Sequence, residues 1–154
     1  MRILASLACF LLLAGCSLTD VDDDLSFRNV SGSGNLHVLE PGTAVFNDAV
    51  SWEAFWTAHA IDLDGDGTRL PAPEVDFERE TVAAVFLGSR SGCGHFIEMI
   101  RGVRVQGDAA LVEVRLPSSP SLWTCDMVVF PIHVVAFDKM EEVRFSGDVP
   151  GEEG

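Results

Sequence analysis

The spacing of apolar residues changes along the chain, and it predicts one helix followed by a series of strands. Near residues 50–60, apolar and aromatic side chains recur three and four positions apart, which places them on one face of a helix. The members of this face are Trp52, Phe55, Trp56 and His59. We expect the aromatic face to be buried in the core instead of forming an exposed binding face.

Both ends of this helix have suitable terminal residues. Asn47, Asp48 or Ser51 can each cap its start. Glu53 is predicted to lie in the first turn and His59 at the end, where each side chain complements the helix dipole.

The remaining apolar segments predict strands. Two short ones precede the helix, and five follow it, so that the predicted strands are residues 25–30, 43–46, 81–87, 96–105, 109–116, 127–137 and 141–145. The segment 81–87 is almost continuously apolar, which is typical of a strand buried on both faces. Pro131 interrupts a second such segment and predicts an edge position or a bulge.

The segment 109–116 alternates instead, which is the pattern of a half-buried strand. Its buried face is predicted to consist of Ala110, Val112, Val114 and Leu116. Together the elements predict an α+β domain, with one short helix packed on a mostly antiparallel β-sheet.

Residues 1–16 have the layout of a cleaved export signal. Arg2 supplies a positive start, residues 3–12 form an apolar core too short to span a bilayer, and small residues lead to a cysteine. The stretch Leu13-Ala14-Gly15-Cys16 resembles the lipobox of bacterial lipoproteins. The resemblance implies cleavage before Cys16, a diacylglycerol on its sulfur and an acylated new amino terminus. The alternative is an ordinary secretory signal with a chance cysteine near its cleavage site.

The polar, acidic residues 16–24 are interpreted as a tether between the membrane and the domain. By the same resemblance, Ser17 in place of an aspartate favours the outer over the inner membrane of a bacterial envelope. The domain is predicted to cover residues 25–146, and residues 147–154 are predicted to be a disordered tail.

The charge balance argues against some classes of partner. The 154-residue chain has 10 basic and 24 acidic side chains, for a net charge of −14. Removal of residues 1–15 would leave 139 residues, the size of one domain. A surface this acidic is poorly suited to nucleic acid, or to anionic lipid bound through a basic patch.

Two cysteines, Cys93 and Cys125, remain once the signal is cut and Cys16 carries lipid. Export would place them in an oxidising compartment, where two such cysteines usually pair. Their bridge would close a loop of about 30 residues and stabilise the fold by about 3–4 kcal/mol. The alternatives are two free thiols, or a metal site that includes His95.

An acidic repeat lies in the long loop predicted at residues 61–77. Aspartates at alternate positions, followed by Gly67 for a sharp turn, are typical of a calcium loop. The ligands would be Asp62, Asp64, Asp66 and the carbonyl oxygen of Thr68.

The match to a calcium loop then ends. Arg69 and Pro73 occupy positions where an apolar residue and a bidentate glutamate are usual. Glu74 or Asp76 would have to complete the ligand shell from a loop of different shape. The alternative is an acidic, solvated turn.

The candidate catalytic residues do not form a recognised pattern. The histidines show no tight metal-ligand spacing, and the four are His37, His59, His95 and His133. The last two are predicted on strands as half-buried, hydrogen-bonded side chains. The loop serines lack the strand–turn–helix context of a nucleophile elbow, and there is no phosphate loop or dinucleotide motif. The sequence therefore predicts that the protein is not an enzyme.

A series of short motifs runs through residues 45–146. They are Trp52-x-x-Phe55-Trp56 with His59, Pro73-x-Val75-Asp76-Phe77, Phe86-Leu87-Gly88, the Ser/Gly-rich turn 89–94, Pro120, Cys125, Pro131-Ile132-His133-Val134-Val135 and Val143-Arg144-Phe145. In their order and spacing they resemble the C-terminal domain of PrcB-like proteins, small bacterial lipoproteins named for a subunit of a surface protease complex. Many members read Gly-Gly-Tyr where this chain has Cys93-Gly94-His95. The resemblance implies a non-catalytic companion domain that helps to hold a protease complex together.

These observations predict a lipid-anchored, non-enzymatic accessory domain for another envelope or secreted protein, such as a protease. Its contact surface is expected to comprise the loops 88–94 and 117–125 and an uncovered sheet edge, because edges accept strands from partners. The alternative is a calcium-dependent surface binding module built on residues 62–67. A third hypothesis, a hydrolase, would need a deep pocket lined by a serine, a histidine and an acid.

Overall fold

The computed structural model describes residues 23–31, 36–60, 69–92, 97–117 and 127–151. One short helix and mostly antiparallel strands confirm the predicted α+β class. In chain order the elements are β1 (Phe27–Asn29), β2 (Pro41–Phe46), α1 (Ala49–His59), β3 (Glu80–Leu87), β4 (Arg90–Ser91), β5 (Ile100–Gln106), β6 (Ala109–Val114), β7 (Val128–Val129), β8 (Ile132–Asp138) and β9 (Glu142–Gly147).

A four-stranded antiparallel sheet, in the order β1-β8-β3-β2, forms the middle of the domain. Nearly every residue of its two inner strands, β3 and β8, is buried. Burial on both faces explains why these strands appear in sequence as continuous apolar runs, as predicted for residues 81–87. Their side chains alternate between two cores, one under the helix and one under a second sheet.

The helix covers one face of the central sheet. Its N-cap is Asp48, whose carboxylate accepts a hydrogen bond from the Ser51 backbone N–H at 2.8 Å. Because the helix begins at Ala49, its first turn contains no acidic residue, so the predicted position of Glu53 in that turn is wrong.

The aromatic face of the helix lies in the core, as predicted. Trp52 and Trp56 are buried against each other, and Phe46 of β2 packs on Trp52 at a ring distance of 5.2 Å. Each indole N–H finds a carbonyl partner, which is what burial of tryptophan requires. Trp52 donates to Pro73 at 3.1 Å and Trp56 donates to Leu70 at 2.8 Å, so the helix also holds the segment 69–77.

A second sheet, in the order β5-β6-β9, covers the other face of the central sheet. Its β5 and β6 are antiparallel, whereas β6 and β9 run parallel. Ala110, Val112 and Val114 are buried as predicted, while Leu116 lies past the end of β6 and is only partly buried against the same core.

The folded part of the chain includes residues outside the predicted limits of 25 and 146. The carbonyl of Asp23 accepts from Val105 N–H at 2.9 Å, so the last tether residues run along β5. At the other terminus, Asp148 N–H donates to Val114 at 3.0 Å, and its carboxylate accepts from Leu116 N–H at 3.1 Å. Residues 1–22 and 152–154, which include the predicted signal, most of the predicted tether and the end of the predicted tail, lie outside the described residues.

Replacement of Gly88 by alanine is expected to destabilise the protein by about 2–4 kcal/mol. Gly88 has a φ of 69°, and an added Cβ would lie 2.6 Å from the Leu39 carbonyl oxygen. The loss of unfolding free energy should therefore combine the cost of a left-handed residue with that of moving the backbone at Leu39. Urea unfolding followed by tryptophan fluorescence measures it.

Gly107→Ala is the matched control. Gly107 has a φ of 62°, but no atom lies within 4 Å of the added Cβ. We expect this variant to lose only about 1–2 kcal/mol of unfolding free energy, which is the cost of placing alanine in the left-handed conformation. Equal losses in the two variants would show that the close approach at Leu39 contributes nothing.

Candidate protein-binding surface

The inner strands β3 and β8 continue past the central sheet as a narrow ribbon. There β4 pairs with β7, and Gly92 N–H donates to the Met127 carbonyl at 2.9 Å. Two residues on each strand, 88–89 and 130–131, separate this pairing from the central sheet. We call residues 88–92 and 127–131 the ribbon, and the end of the domain that carries it the ribbon end.

Pro131 lies in this break and explains it. The apolar segment 127–137, predicted as one strand, is divided into β7 and β8. Pro131 precedes β8 and lies beyond the pairing of β8 with β1, which ends at Val135, so the strand order does not contradict the predicted edge position or bulge. The ladder is interrupted here at a residue that has no N–H to donate, while the Pro131 carbonyl still accepts from Leu87 N–H at 3.0 Å.

The ribbon exposes large apolar side chains. Val129 is 1% exposed, but its neighbour Val128 is 63% exposed and Met127 is 53% exposed. The ring of Phe130 contacts exposed His37 in a tilted arrangement, with a centroid distance of 4.1 Å. Leu39, whose carbonyl accepts from Ser89 of the ribbon at 3.2 Å, is 65% exposed. We call this set, Leu39, Met127, Val128, Phe130 and His37, the ribbon surface.

A cleft of about 370 Å³ lies beside the helix, and a larger one of about 430 Å³ lies at the base of the ribbon. The larger cleft is lined by Leu87, Arg90, Ser91, Leu116 and Pro117. Its walls are mainly aliphatic with one guanidinium, which suits a contact with an apolar side chain better than it suits hydrolytic chemistry.

The predicted contact loops are described only in part. Residues 88–92 of the first loop form one strand of the ribbon, and Pro117 is the described residue of the second. Among the sheet edges, the outer side of β5 is paired with residues 23–25. The outer sides of β1, β2 and β9 have no strand partner within the described part of the chain.

His133 is buried and hydrogen-bonded rather than half-buried as predicted. It lies in β8 and is 3% exposed. Its Nδ1 accepts from the backbone N–H groups of Met99, at 3.1 Å, and Ile100, at 2.9 Å. Burial lowers the pKa of His133, Arg101 lowers it further, and Glu98 opposes the shift. The ring is therefore neutral near pH 7 and ties β8 to the start of β5.

The histidines of the helix end are also engaged in structural contacts. His59 Nδ1 lies 3.1 Å from the His37 carbonyl oxygen, and His37 N–H donates to the His59 carbonyl at 2.8 Å. The His59 ring packs on Phe55 at 4.8 Å. His95 lies outside the described residues.

The predicted calcium ligands Asp62, Asp64, Asp66 and Thr68 lie outside the described residues. Within the described ranges, no group of three histidine, cysteine, aspartate or glutamate side chains is placed to hold a metal ion. Asp76, one of the two residues suggested to complete the shell, accepts from Glu78 N–H at 3.2 Å and begins a turn. The calcium site stays a prediction from sequence.

An ion pair that the sequence did not predict joins β1 to β3 across β8. Arg28 donates two hydrogen bonds to the Glu80 carboxylate, at 2.9 and 2.7 Å. These bonds lower the pKa of Glu80 and raise the pKa of Arg28. Residues distant in sequence pair here because both strands flank β8, a relation that one sequence does not contain.

Cys93 and Cys125 lie outside the described residues. The disulfide between them stays a prediction from sequence.

Comparison of this chain with known proteins identifies no relative. No model of a known protein family, no curated protein and no solved structure matches this chain. The resemblance to PrcB-like proteins therefore stays a prediction. No helix among the described residues combines the length and apolar character needed to cross a membrane.

Intact-mass spectrometry of the native protein is expected to report three features together. The amino terminus should be Cys16 with an added acyl mass, and alkylation should label Cys93 and Cys125 only after reduction. If the bridge forms, Cys93→Ser and Cys125→Ser should each lose about 3–4 kcal/mol of unfolding free energy, and the double variant should lose no more. Alkylation without reductant would rule out the bridge.

Proposed function

We propose that this protein is a lipid-anchored envelope protein whose α+β domain binds another envelope or secreted protein through the ribbon surface, without catalysis. The observation that carries the proposal is the exposure of Val128, Met127 and Leu39 together at one end of the domain. Clustered large apolar side chains at a surface are typical of protein contacts. Methionine and aromatic side chains are also enriched in such contacts.

The base of the ribbon supports this role. The strands that carry the exposed side chains are extensions of β3 and β8, the most buried strands of the domain. A partner would therefore meet a surface whose backbone is fixed by the core beneath it, so little ordering entropy opposes binding. The cleft of about 430 Å³ beside the ribbon offers room for an apolar anchor residue of the partner.

The direction of the tether also suits an anchored binding domain. The tether joins the domain where Asp23 pairs with Val105, near the end of β5, whereas Ile100 at the start of β5 lies beside His133 and the ribbon end. At about 3.3 Å per residue, these two points of β5 are separated by about 17 Å. An anchor on Cys16 would thus hold one end of the domain near the bilayer and present the ribbon surface away from it.

The partner class rests on charge and on the sequence resemblance. A net charge of −14 favours a partner with a basic surface, because complementary potentials accelerate and orient docking. The PrcB-like resemblance suggests a secreted protease as that partner. The structural use of the rings of His59 and His133 supports a non-catalytic domain.

Val128→Asp is expected to weaken partner capture about tenfold or more, the effect of losing a contact worth about 1.4 kcal/mol. The measurement is quantitative co-purification from the protein's own envelope after crosslinking. Val50→Asp is the matched control, because Val50 is 78% exposed and lies at the first turn of α1, away from the ribbon. Cys16→Ala should release the protein from the membrane and leave binding to the solubilised partner intact.

Two outcomes would contradict the proposal. Equal capture by the Val128→Asp protein and the unchanged protein would show that the ribbon surface is not the binding site. Membrane retention of the Cys16→Ala protein would rule out the lipid anchor. The binding role would then be judged by the capture experiment with Val128→Asp.

A second candidate function is calcium-dependent binding through residues 62–68. The observation that favours it is that both ends of this loop are held at the end of α1. Ala60 pairs with Leu36, and the Arg69 guanidinium donates to the Thr57 carbonyl. Flanking residues that are both held near α1 would allow several oxygen atoms of the segment between them to face one ion.

Calcium at 10 mM is expected to raise the melting temperature by a few degrees if the dissociation constant is about 0.1–1 mM, as in extracellular modules. Asp64→Ala should abolish the shift. Asp108→Ala, which removes a carboxylate from the exposed turn between β5 and β6, should keep it. Isothermal titration without heat, together with an unchanged melting temperature, would exclude the site.

A further inference from the structure

His133 occupies an unusual position between the two sheets. It lies on the face of β8 that also carries Val135 and Phe137, which pack toward the second sheet. The residue paired with it on the neighbouring strand β3 is Val85, which has no titratable group. The two N–H groups that converge on Nδ1 belong to Met99 and Ile100, both almost fully buried.

Besides these two hydrogen bonds, the segment 97–100 is held by pairing with β6 and by burial of Ile97, Met99 and Ile100 in the core under the second sheet. Met99 also accepts from Arg115 N–H at 2.8 Å, and Ile100 pairs with Val114 of β6. On the side of the central sheet, the backbone of residues 99 and 100 donates to the imidazole. One ring therefore joins the start of β5 to the central sheet at the ribbon end.

This arrangement admits only one protonation state of Nδ1. A neutral ring that accepts at Nδ1 carries its proton on Nε2. A proton added to Nδ1 would face two N–H donors, remove both hydrogen bonds and place a positive charge in a buried position. We propose that His133 is an acid-sensitive joint between the two sheets, and that protonation of Nδ1 releases the segment 97–100 from β8.

The charged groups near the ring do not prevent this response. Among the described residues, Glu98 favours the charged ring and Arg101 disfavours it, and the two form an exposed pair at 3.6 Å. Burial is the dominant cause that keeps the native pKa of His133 below its ordinary value. The two hydrogen bonds to His133 Nδ1 therefore make their full contribution to stability above about pH 6.5. This contribution decreases as the pH falls below about 6.5, because His133 binds a proton when the segment 97–100 is released and excludes that proton when the segment is in place. The decrease ends when the pH reaches the lower pKa of His133 in the native structure.

Hydrogen exchange of the Met99 and Ile100 amides, corrected for the intrinsic rate, tests the joint between pH 7 and pH 5. Protection of both amides should fall by up to about tenfold per pH unit below pH 6.5. The amide of Ala83, in the middle of β3, should change much less if the opening is local. Carboxylates titrate near pH 4 and contribute little in this range.

His133→Asn keeps an acceptor near the position of Nδ1 but cannot titrate, so its Met99 and Ile100 amides should lose the pH dependence. His59→Asn, at the last residue of α1, should retain it. Protection that is constant from pH 7 to pH 5 in the unchanged protein, or an equal slope in His133→Asn, would overturn the proposal. If His133→Asn does not fold, nitrogen NMR of the unchanged protein decides, because a protonated Nδ1 at pH 7 is incompatible with the joint.

Discussion

Burial of β3 and β8 on both faces is the constraint on which the rest of this structure depends. Two adjacent antiparallel strands with almost no exposed side chain require a covering layer on each face. The helix, with Trp52 and Trp56, covers one face, and the sheet β5-β6-β9 covers the other. A domain of this size therefore has two hydrophobic cores that share one sheet.

The same two strands determine where an interaction surface lies. They are longer than the layers that cover them, and the part beyond Gly88 and Pro131 forms the ribbon. There the alternation of exposed and buried residues returns, with Val128 outside and Val129 inside. The proposed binding role and the proposed joint at His133 are thus both consequences of central strands that extend to one end of the domain.

Among the described residues, the buried polar side chains Ser31, Thr81 and His133 are all hydrogen-bonded. Ser31 exchanges hydrogen bonds with the backbone of Val134, Thr81 bonds to Asn47 and Met140, and His133 accepts two backbone donors. Each buried polar side chain connects segments that are distant in the sequence, so these bonds help to specify which strands are neighbours.

The sequence by itself determined the class of fold, the helix and the fully buried strand β3, and it predicts a lipid anchor at Cys16. Each of these depends on local order: a period of 3.6 for Trp52 and Trp56, continuous apolar runs for strands covered on both sides, and the succession of residue types before Cys16. Only the tertiary structure decided the parallel pairing of β6 with β9, the division of residues 127–137 at Pro131, and the meeting of His133 with Met99 and Ile100. The exposed ribbon surface was missed because its apolar residues resemble core in sequence. The physical reason is that strand order, and hence which apolar residues remain uncovered, depends on long-range pairing that a single sequence does not encode in any local pattern.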